Sequence, residues 1–210
     1  MAYHGYIKFI CEYARYINDK KKEPVKILEI GVDTGVSLFA INNNLNLLKT
    51  PFHYTGIDIL IQSHLVAIDY AFHQGSKDNK ISLIEKNSLE YLKECREIFD
   101  IILIDGDHNY DTVKEELSSL KRIMNSDTLV ICDDYSGRWS KKDLYYSERE
   151  EYLQNENATK KPDKVDKQGV GTAIDEYLNE NPDFKHFKLI EGEPICLVKK
   201  DNNILNLGLL

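Results

Sequence analysis

The chain has 210 residues, 42% hydrophobic and 30% charged, which supplies apolar side chain for one core and little for a second, so one domain is expected over 1–210. Thirty-five acidic against 27 basic residues give a net charge of -8; such a chain repels a nucleic-acid backbone, and the basic run Lys20–Lys22 is too short to reverse that and reads as a solvated linker face. There is no run of about 18 apolar residues and no apolar leader, so no membrane partner is expected, and Cys11, Cys95, Cys132 and Cys196 form no zinc-type pair; a cytoplasmic protein with reduced thiols fits.

Tyr6, Ile10, Tyr13 and Ile17 recur at steps of four, three and four, which predicts an amphipathic N-terminal helix within residues 1–23. Its aromatic face, if exposed, would suit a homodimer contact. Apolar runs then alternate with helical patterns: strand Val25–Ile30, a helix from about Gly35, strand Tyr54–Ile59, helix Leu65–Gln74, strand Lys80–Ile84, helix Ser88–Arg96 and strand Phe99–Ile104. Next comes a helix carrying Val113, Leu117, Leu120 and Met124 on one face, then strand Thr128–Cys132. The alternation predicts βαβ units, hence an α/β protein with a mainly parallel sheet covered on both faces.

Residues 136–168 break the rhythm, with Arg138, Trp139, Tyr145, Tyr146 and Tyr152 among many charges. They read as a long insertion with at most one short helix, either a lid or a disordered loop. Val170, Ala173, Ile174, Tyr177 and Leu178 form a last helical stripe, stopped at Pro182. Phe184–Ile190 and Pro194–Lys199 read as two strands joined at Glu191-Gly192-Glu193, which predicts an antiparallel strand at the C-terminal end, and the tail after Lys200 is expected to fray.

Two constellations carry chemistry. At the junction of the first strand and helix, Gly31 permits a tight turn, and Gly35 lets a ligand or helix approach the backbone. Asp58 ends the following strand, where a carboxylate can accept from a ribose diol, so the pair points to an adenosine-containing ligand. Asp33 stands where a dinucleotide fingerprint would have glycine, which argues against a nicotinamide-linked oxidoreductase. A carboxylate there suits the positive sulfonium or amino group of S-adenosylmethionine (SAM); the plainer reading is a glycine turn that only joins strand to helix.

The second constellation is Asp105 at the end of the fourth strand with Asp133 and Asp134 at the end of the fifth. Neighbouring parallel strands bring such side chains into one crevice, and three clustered carboxylates call for a proton or a hard cation such as Mg²⁺. Each could instead cap the following helix or turn. His108 could take a hydroxyl proton at neutral pH, with Asp105 and Asp107 as competitors, or lie idle at a helix start.

The successive runs ILEIGVDTGVSL, YTGIDI, LIEKNSLEYL, FDIILIDGDHNYDTVKEEL and LVICDDY resemble the motifs of class I SAM-dependent methyltransferases. Within that superfamily they are most similar to the metal-dependent O-methyltransferases, the group of the catechol and macrocin-type sugar enzymes. The resemblance implies a Rossmann-like, doubly wound, seven-stranded sheet. It also implies SAM and Mg²⁺ as cofactors and a small-molecule acceptor bearing a hydroxyl. It places Glu29, Gly31 and Ser37 around the methionine part, with Asp33 and Gly35 in the same turn, and Asp58 on the ribose. Asn87 or Ser88 falls beside the adenine, and Asp105, Asp133 and Asp134 on the metal. The catechol enzymes carry lysine where this chain has His108, which leaves the base open among His108, Asp105 and Asp107. The acceptor would be chosen by the N-terminal helix and the insertion, with Arg138, Trp139, Tyr145 and Tyr146 as candidate walls. A module that binds the cofactor without transferring methyl is the rival reading.

Overall fold

The computed structural model describes residues 3–65, 78–188, 194–204 and 207, with the backbone alone for residues 3–5. Strands β1 (Val25–Ile30), β2 (Phe52–Asp58), β3 (Lys80–Glu85), β4 (Phe99–Ile104), β5 (Met124–Cys132), β6 (Phe184–Phe187) and β7 (Ile195–Lys199) form one seven-stranded sheet in the order β3-β2-β1-β4-β5-β7-β6. The first five are parallel, and β7 runs antiparallel to both β5 and β6. The strand order reverses between β1 and β4, the switch point at which the carboxyl ends of parallel strands open a crevice.

Alternation along each strand builds two cores. Ile27, Ile101, Leu129 and Cys196 face one side with α1 (Tyr3–Lys21) and α2 (Val36–Leu47). Leu28, Ile102, Val130 and Leu197 face the other. There they meet α3 (Ser88–Glu94), α4 (Tyr110–Ile123) and α5 (Val170–Glu180). A one-residue slip of any central strand would exchange its two faces, so the apolar pattern on both sides fixes the register. Each fully buried aliphatic side chain contributes roughly 1.5–3 kcal/mol.

Several expectations are corrected. The first helix continues through Lys21, because Lys20 ion-pairs with Asp127 at 2.7 Å and Lys21 with the buried Asp100; the run is an anchored helix end, not a solvated linker. Ile10, Tyr13 and Ile17 lie at 0–1% exposure against the chain's own sheet, so the face suggested for self-association is already covered. Met124 opens β5 instead of closing α4, and β2 starts at Phe52.

The segment after Lys200 is fastened, at least over 202–204: Asn202 Nδ2 donates to Ser126 O at 3.0 Å and to Tyr13 Oη at 3.2 Å, and Ile204 is 1% exposed. The insertion holds two short 3₁₀ turns, Tyr146–Glu148 and Glu150–Tyr152, where at most one helix was expected. Residues 66–74 of the predicted helix Leu65–Gln74, residues 189–190 and the turn at 191–193 lie outside the described residues. All four cysteines are buried and unpaired. Among the described residues no helix is long and apolar enough to cross a membrane.

Candidate active site

The loop after β1 adopts left-handed backbone at Gly31 (φ 89°), Asp33 (φ 45°) and Gly35 (φ 79°). Gly31 is required by packing: a Cβ there would lie 2.0 Å from the Asp105 carbonyl oxygen and 2.6 Å from Gly106 Cα. The loops following β1 and β4 therefore touch backbone to backbone and make the floor of the crevice. At Gly35 a Cβ would meet the Leu65 side chain at 2.5 Å, so this glycine admits an apolar neighbour, not a ligand.

Asp58, at the end of β2, reaches back to this turn. One carboxylate oxygen accepts from the amides of Val32 at 2.8 Å and Asp33 at 2.9 Å, and the other from Leu60 N at 3.0 Å. The amides that would greet a phosphate in a dinucleotide fold are thus occupied by the protein's own anion. Removing the carboxylate orphans three donors, and Asp58→Ala is expected to lower stability by about 2 kcal/mol in urea unfolding, with Asp58→Asn intermediate. An unchanged midpoint for the alanine variant would mean that the turn stands without this support.

A cleft of about 640 Å³ opens between these loops, with Gly31, Asp33, Asp58, Asn87, Ser88 and Asp105 on its inner side. Asn87 caps α3, accepting from Leu89 N at 3.0 Å and Glu90 N at 3.4 Å. Ser88 Oγ donates to Glu116 Oε1 at 2.6 Å, and Glu116 is wholly buried. On the far side of Asp105 lies a smaller cavity of about 260 Å³ lined by Tyr6, Glu29, Ser37, Asp105, Asp133 and Pro194. Glu29 is 2% exposed and accepts from Tyr54 Oη. Burial pushes its carboxyl up to about 7, against the hydrogen bonds from Tyr54 and Ser37 and with a further push from Asp58.

The carboxylates at the ends of β4 and β5 do gather. Asp105 is hydrogen-bonded to Asp133, and its carboxyl is held well above the usual range by loss of water and by the charges of Asp133, Glu29 and Asp134. Asp134, with left-handed backbone (φ 53°), turns its carboxylate to His108 Nδ1 at 3.0 Å. The His108 ring lies nearly parallel to Trp139, with centroids 6.3 Å apart, and beside Tyr146 at 6.1 Å. Among the described residues no three His, Cys, Asp or Glu side chains converge as they would around a metal ion. Asp107 is hydrogen-bonded to the hydroxyls of Thr159 and Thr112, and burial raises its carboxyl against those bonds and the nearby His108.

Of the four residues suggested as acceptor walls, only Tyr146 lines the main cleft. Tyr145 is buried and donates to Asp111 at 3.1 Å, and Trp139 packs against the second core with Arg138 stacked over its ring at 4.7 Å. Sequence reasoning missed Tyr152 and Thr159, which also line the cleft, and Glu116 behind Ser88. Tyr152 ends a three-residue 3₁₀ turn and Thr159 lies in irregular backbone, and neither stretch is long enough to show a period. Glu116 did carry a signal, since it sits within the apolar stripe of α4 between Val113 and Leu117.

This doubly wound sheet, with its crevice at the β1–β4 switch point, defines the methyltransferase class of α/β proteins. Residues 28–135, just over half of the chain, match a family model described as a methyltransferase domain, and the chain belongs to that family. Solved structures with the same fold include the SAH-bound methyltransferase PaMTH1 of Podospora anserina, with 19% identity, TM-score 0.54, and 91% of this chain and 78% of that one covered. An O-methyltransferase from Bacillus cereus in complex with SAH shares 14% identity at TM-score 0.56, covering 94% and 81% of the two chains. CalS11, a TDP-rhamnose 3'-O-methyltransferase of calicheamicin biosynthesis, shares 14% identity at TM-score 0.60, covering 96% and 80%. No curated protein matches the chain in sequence.

Proposed function

We propose that the protein is a SAM-dependent O-methyltransferase acting on a hydroxyl of a small molecule such as a sugar or polyol, aided by a divalent cation. The observation that carries this reading is the use of the turn's amides by Asp58. A cleft whose anion site is already filled, and whose walls include Asp33, Asp58 and Asp105 with Lys86 the one cation among the described lining residues, disfavours a pyrophosphate. It suits a phosphate-free cofactor with a sulfonium and an ammonium. The likeness to a TDP-rhamnose 3'-O-methyltransferase supports an oxygen acceptor on a sugar.

In this reading Glu29, Gly31 and Ser37 hold the methionine end, and a bound ammonium draws the Glu29 carboxyl back to its ionised form. Asp33 and Gly35 shape the turn, Asp58 uses its remaining lone pairs on the ribose, and Asn87 and Ser88 flank the base. When bound, SAM supplies a methyl carbon made electrophilic by its sulfonium. The chain contributes placement of the acceptor oxygen in line with that carbon. His108, oriented by Asp134 through Nδ1, takes the hydroxyl proton at Nε2, or Asp105 does so in its place.

A cation would be held by Asp105 and Asp133, with Asp134 joining if it leaves His108. Oxygen donors suit a hard ion, and the hydrogen-bonded pair Asp105 and Asp133 is the start of such a set, with Asp134 turned away to the imidazole of His108. A hard cation in that place would ease loss of the acceptor's proton and fix its oxygen.

Calorimetric titration with SAH is expected to show micromolar-range binding, and its absence would sink the cofactor assignment. With SAH present, Mn²⁺ used as a paramagnetic substitute for Mg²⁺ should lose its free-ion resonance on binding. Asp133→Ala should abolish that loss while leaving SAH affinity within about twofold of the parent chain. If the parent chain leaves the Mn²⁺ signal untouched, the metal part of the proposal fails and the cofactor part stands.

A further inference from the structure

Tyr146, Tyr152 and Thr159 of the insertion line the cofactor cleft, although the sequence suggested the insertion as a wall for the acceptor. They are spread along its length. Tyr152 lies in the field of Asp58 and Asp33, Tyr146 in that of Asp105 and Asp107, and Thr159 Oγ1 lies 3.2 Å from Asn87 Nδ2 and bonds to Asp107. The two tyrosine rings meet edge to face with centroids 5.4 Å apart, so they present one continuous apolar surface.

The segment is fastened to both rims of the same cleft. On the β2 side, the Ile59 carbonyl accepts from Asn155 Nδ2 at 2.9 Å and Asn157 Nδ2 at 3.4 Å. On the β3 side, Asn87 Nδ2 donates to the Asn157 carbonyl at 2.7 Å. Asn157 N donates to Asn155 Oδ1 at 2.8 Å, and Ser147 Oγ to the Thr159 carbonyl at 2.7 Å, which close the segment on itself. Side-chain amides that reach rim carbonyls are replaceable by water, so these bonds can open without disturbing either core.

We propose that residues 146–159 are a cofactor-binding strap, in which Tyr146, Tyr152 and Thr159 form the outer wall of the adenosyl site and Asn155 and Asn157 latch that wall to Ile59 and Asn87. The inference rests on the SAM reading above. The strap must unlatch for the cofactor to enter or leave, and it therefore governs exchange at the site.

SAH binding to the full chain, followed by calorimetry and by stopped-flow dissociation, tests it. The double variant Asn155→Ala/Asn157→Ala removes both amide bonds to the Ile59 carbonyl and the Asn155 Oδ1 bond within the strap, keeps the Asn87 bond to the Asn157 carbonyl, and is expected to release SAH about tenfold faster. Tyr152→Leu should weaken affinity about tenfold and Tyr152→Phe should restore most of it, because the ring face and not the hydroxyl forms the wall. In the unaltered chain, SAH should slow tryptic cleavage at Arg149 and Lys160, a readout independent of whether any variant folds. If the unaltered chain binds no SAH, the cofactor reading falls and takes the strap with it. If SAH binds but the variants exchange it at parental rates, or cleavage is equally fast with and without it, the strap is overturned and the cofactor reading survives.

Discussion

Gly31→Ala is expected to destabilise the protein by about 4 kcal/mol or more and to abolish SAH binding. Two effects add. The backbone at φ 89° disfavours any residue with a Cβ by about 1 kcal/mol or more, and the new carbon would stand 2.0 Å from the Asp105 carbonyl oxygen. That oxygen belongs to backbone whose amide donates to the Ile30 carbonyl at 2.8 Å, so it cannot swing aside as a side chain would. The loops after β1 and β4 would have to part, and the floor shared by Gly31, Asp105 and Gly106 would open. Gly35→Ala offers the comparison: its obstacle is the end of the Leu65 side chain, and a loss of only about 1–2 kcal/mol is expected. Urea unfolding and SAH calorimetry measure both, and a Gly31→Ala protein within 1 kcal/mol of the parent would contradict the packing argument.

The second expectation concerns pH. Glu116 is 0% exposed, one of its oxygens accepts from Ser88, and the other is buried without a partner. Burial pushes its carboxyl up to about 8, against the Ser88 hydrogen bond and with a smaller push from Asp107. In the unfolded chain the same group ionises near its ordinary value of 4.5. Between those two values the folded state holds a proton that the unfolded state has lost, so stability must fall as pH rises, by up to about 1.4 kcal/mol per unit, and level off above the folded value. Glu29 acts in the same direction, up to about 7. Asp105, also held well above the usual range, acts in the same direction in parent and variant alike, so between pH 7 and 8 the difference between the two proteins reports Glu116. Glu116→Gln, neutral at every pH, is expected to lose less of its urea midpoint across that interval than the parent does. Parallel curves for the two proteins would show that Glu116 is ionised in the fold and held by something else.

Much of the scaffold was legible in the sequence because it depends on local period. Strands Val25–Ile30 and Phe99–Ile104 were placed to the residue, and the order of α and β elements gave the doubly wound sheet, since a parallel strand covered on both faces must be apolar throughout. The antiparallel C-terminal strand was also foreseen. Boundaries drifted where two periods overlap, as at Met124, which satisfies both the stripe of α4 and the start of β5.

The site was legible in its residue types and less so in its partners. Sequence could bring Asp105, Asp133 and Asp134 to adjacent strand ends, but it could not show that Asp134 would turn to His108 or that Asp58 would spend its oxygens on the amides of Val32 and Asp33. Those contacts depend on left-handed backbone at Asp33 and Asp134, which no periodicity reports. The roof of the cleft was invisible for the same reason: Tyr152 and Thr159 reach it through irregular chain, across about 100 residues of sequence from the Ile59 carbonyl that Asn155 and Asn157 engage.

The placement of β7 between β5 and β6 has a bearing on synthesis. Until Ile195–Lys199 leave the ribosome, β5 has β4 on one side and a bare edge on the other, so Asp133 and Asp134 hang from a strand that is only half paired. The nascent chain can therefore assemble the glycine turn and its Asp58 brace early, while the acidic end of the crevice matures only once Ile195–Lys199 have emerged. A ribosome stalled before Ile195–Lys199 emerge would carry a protein with one half of its crevice in place.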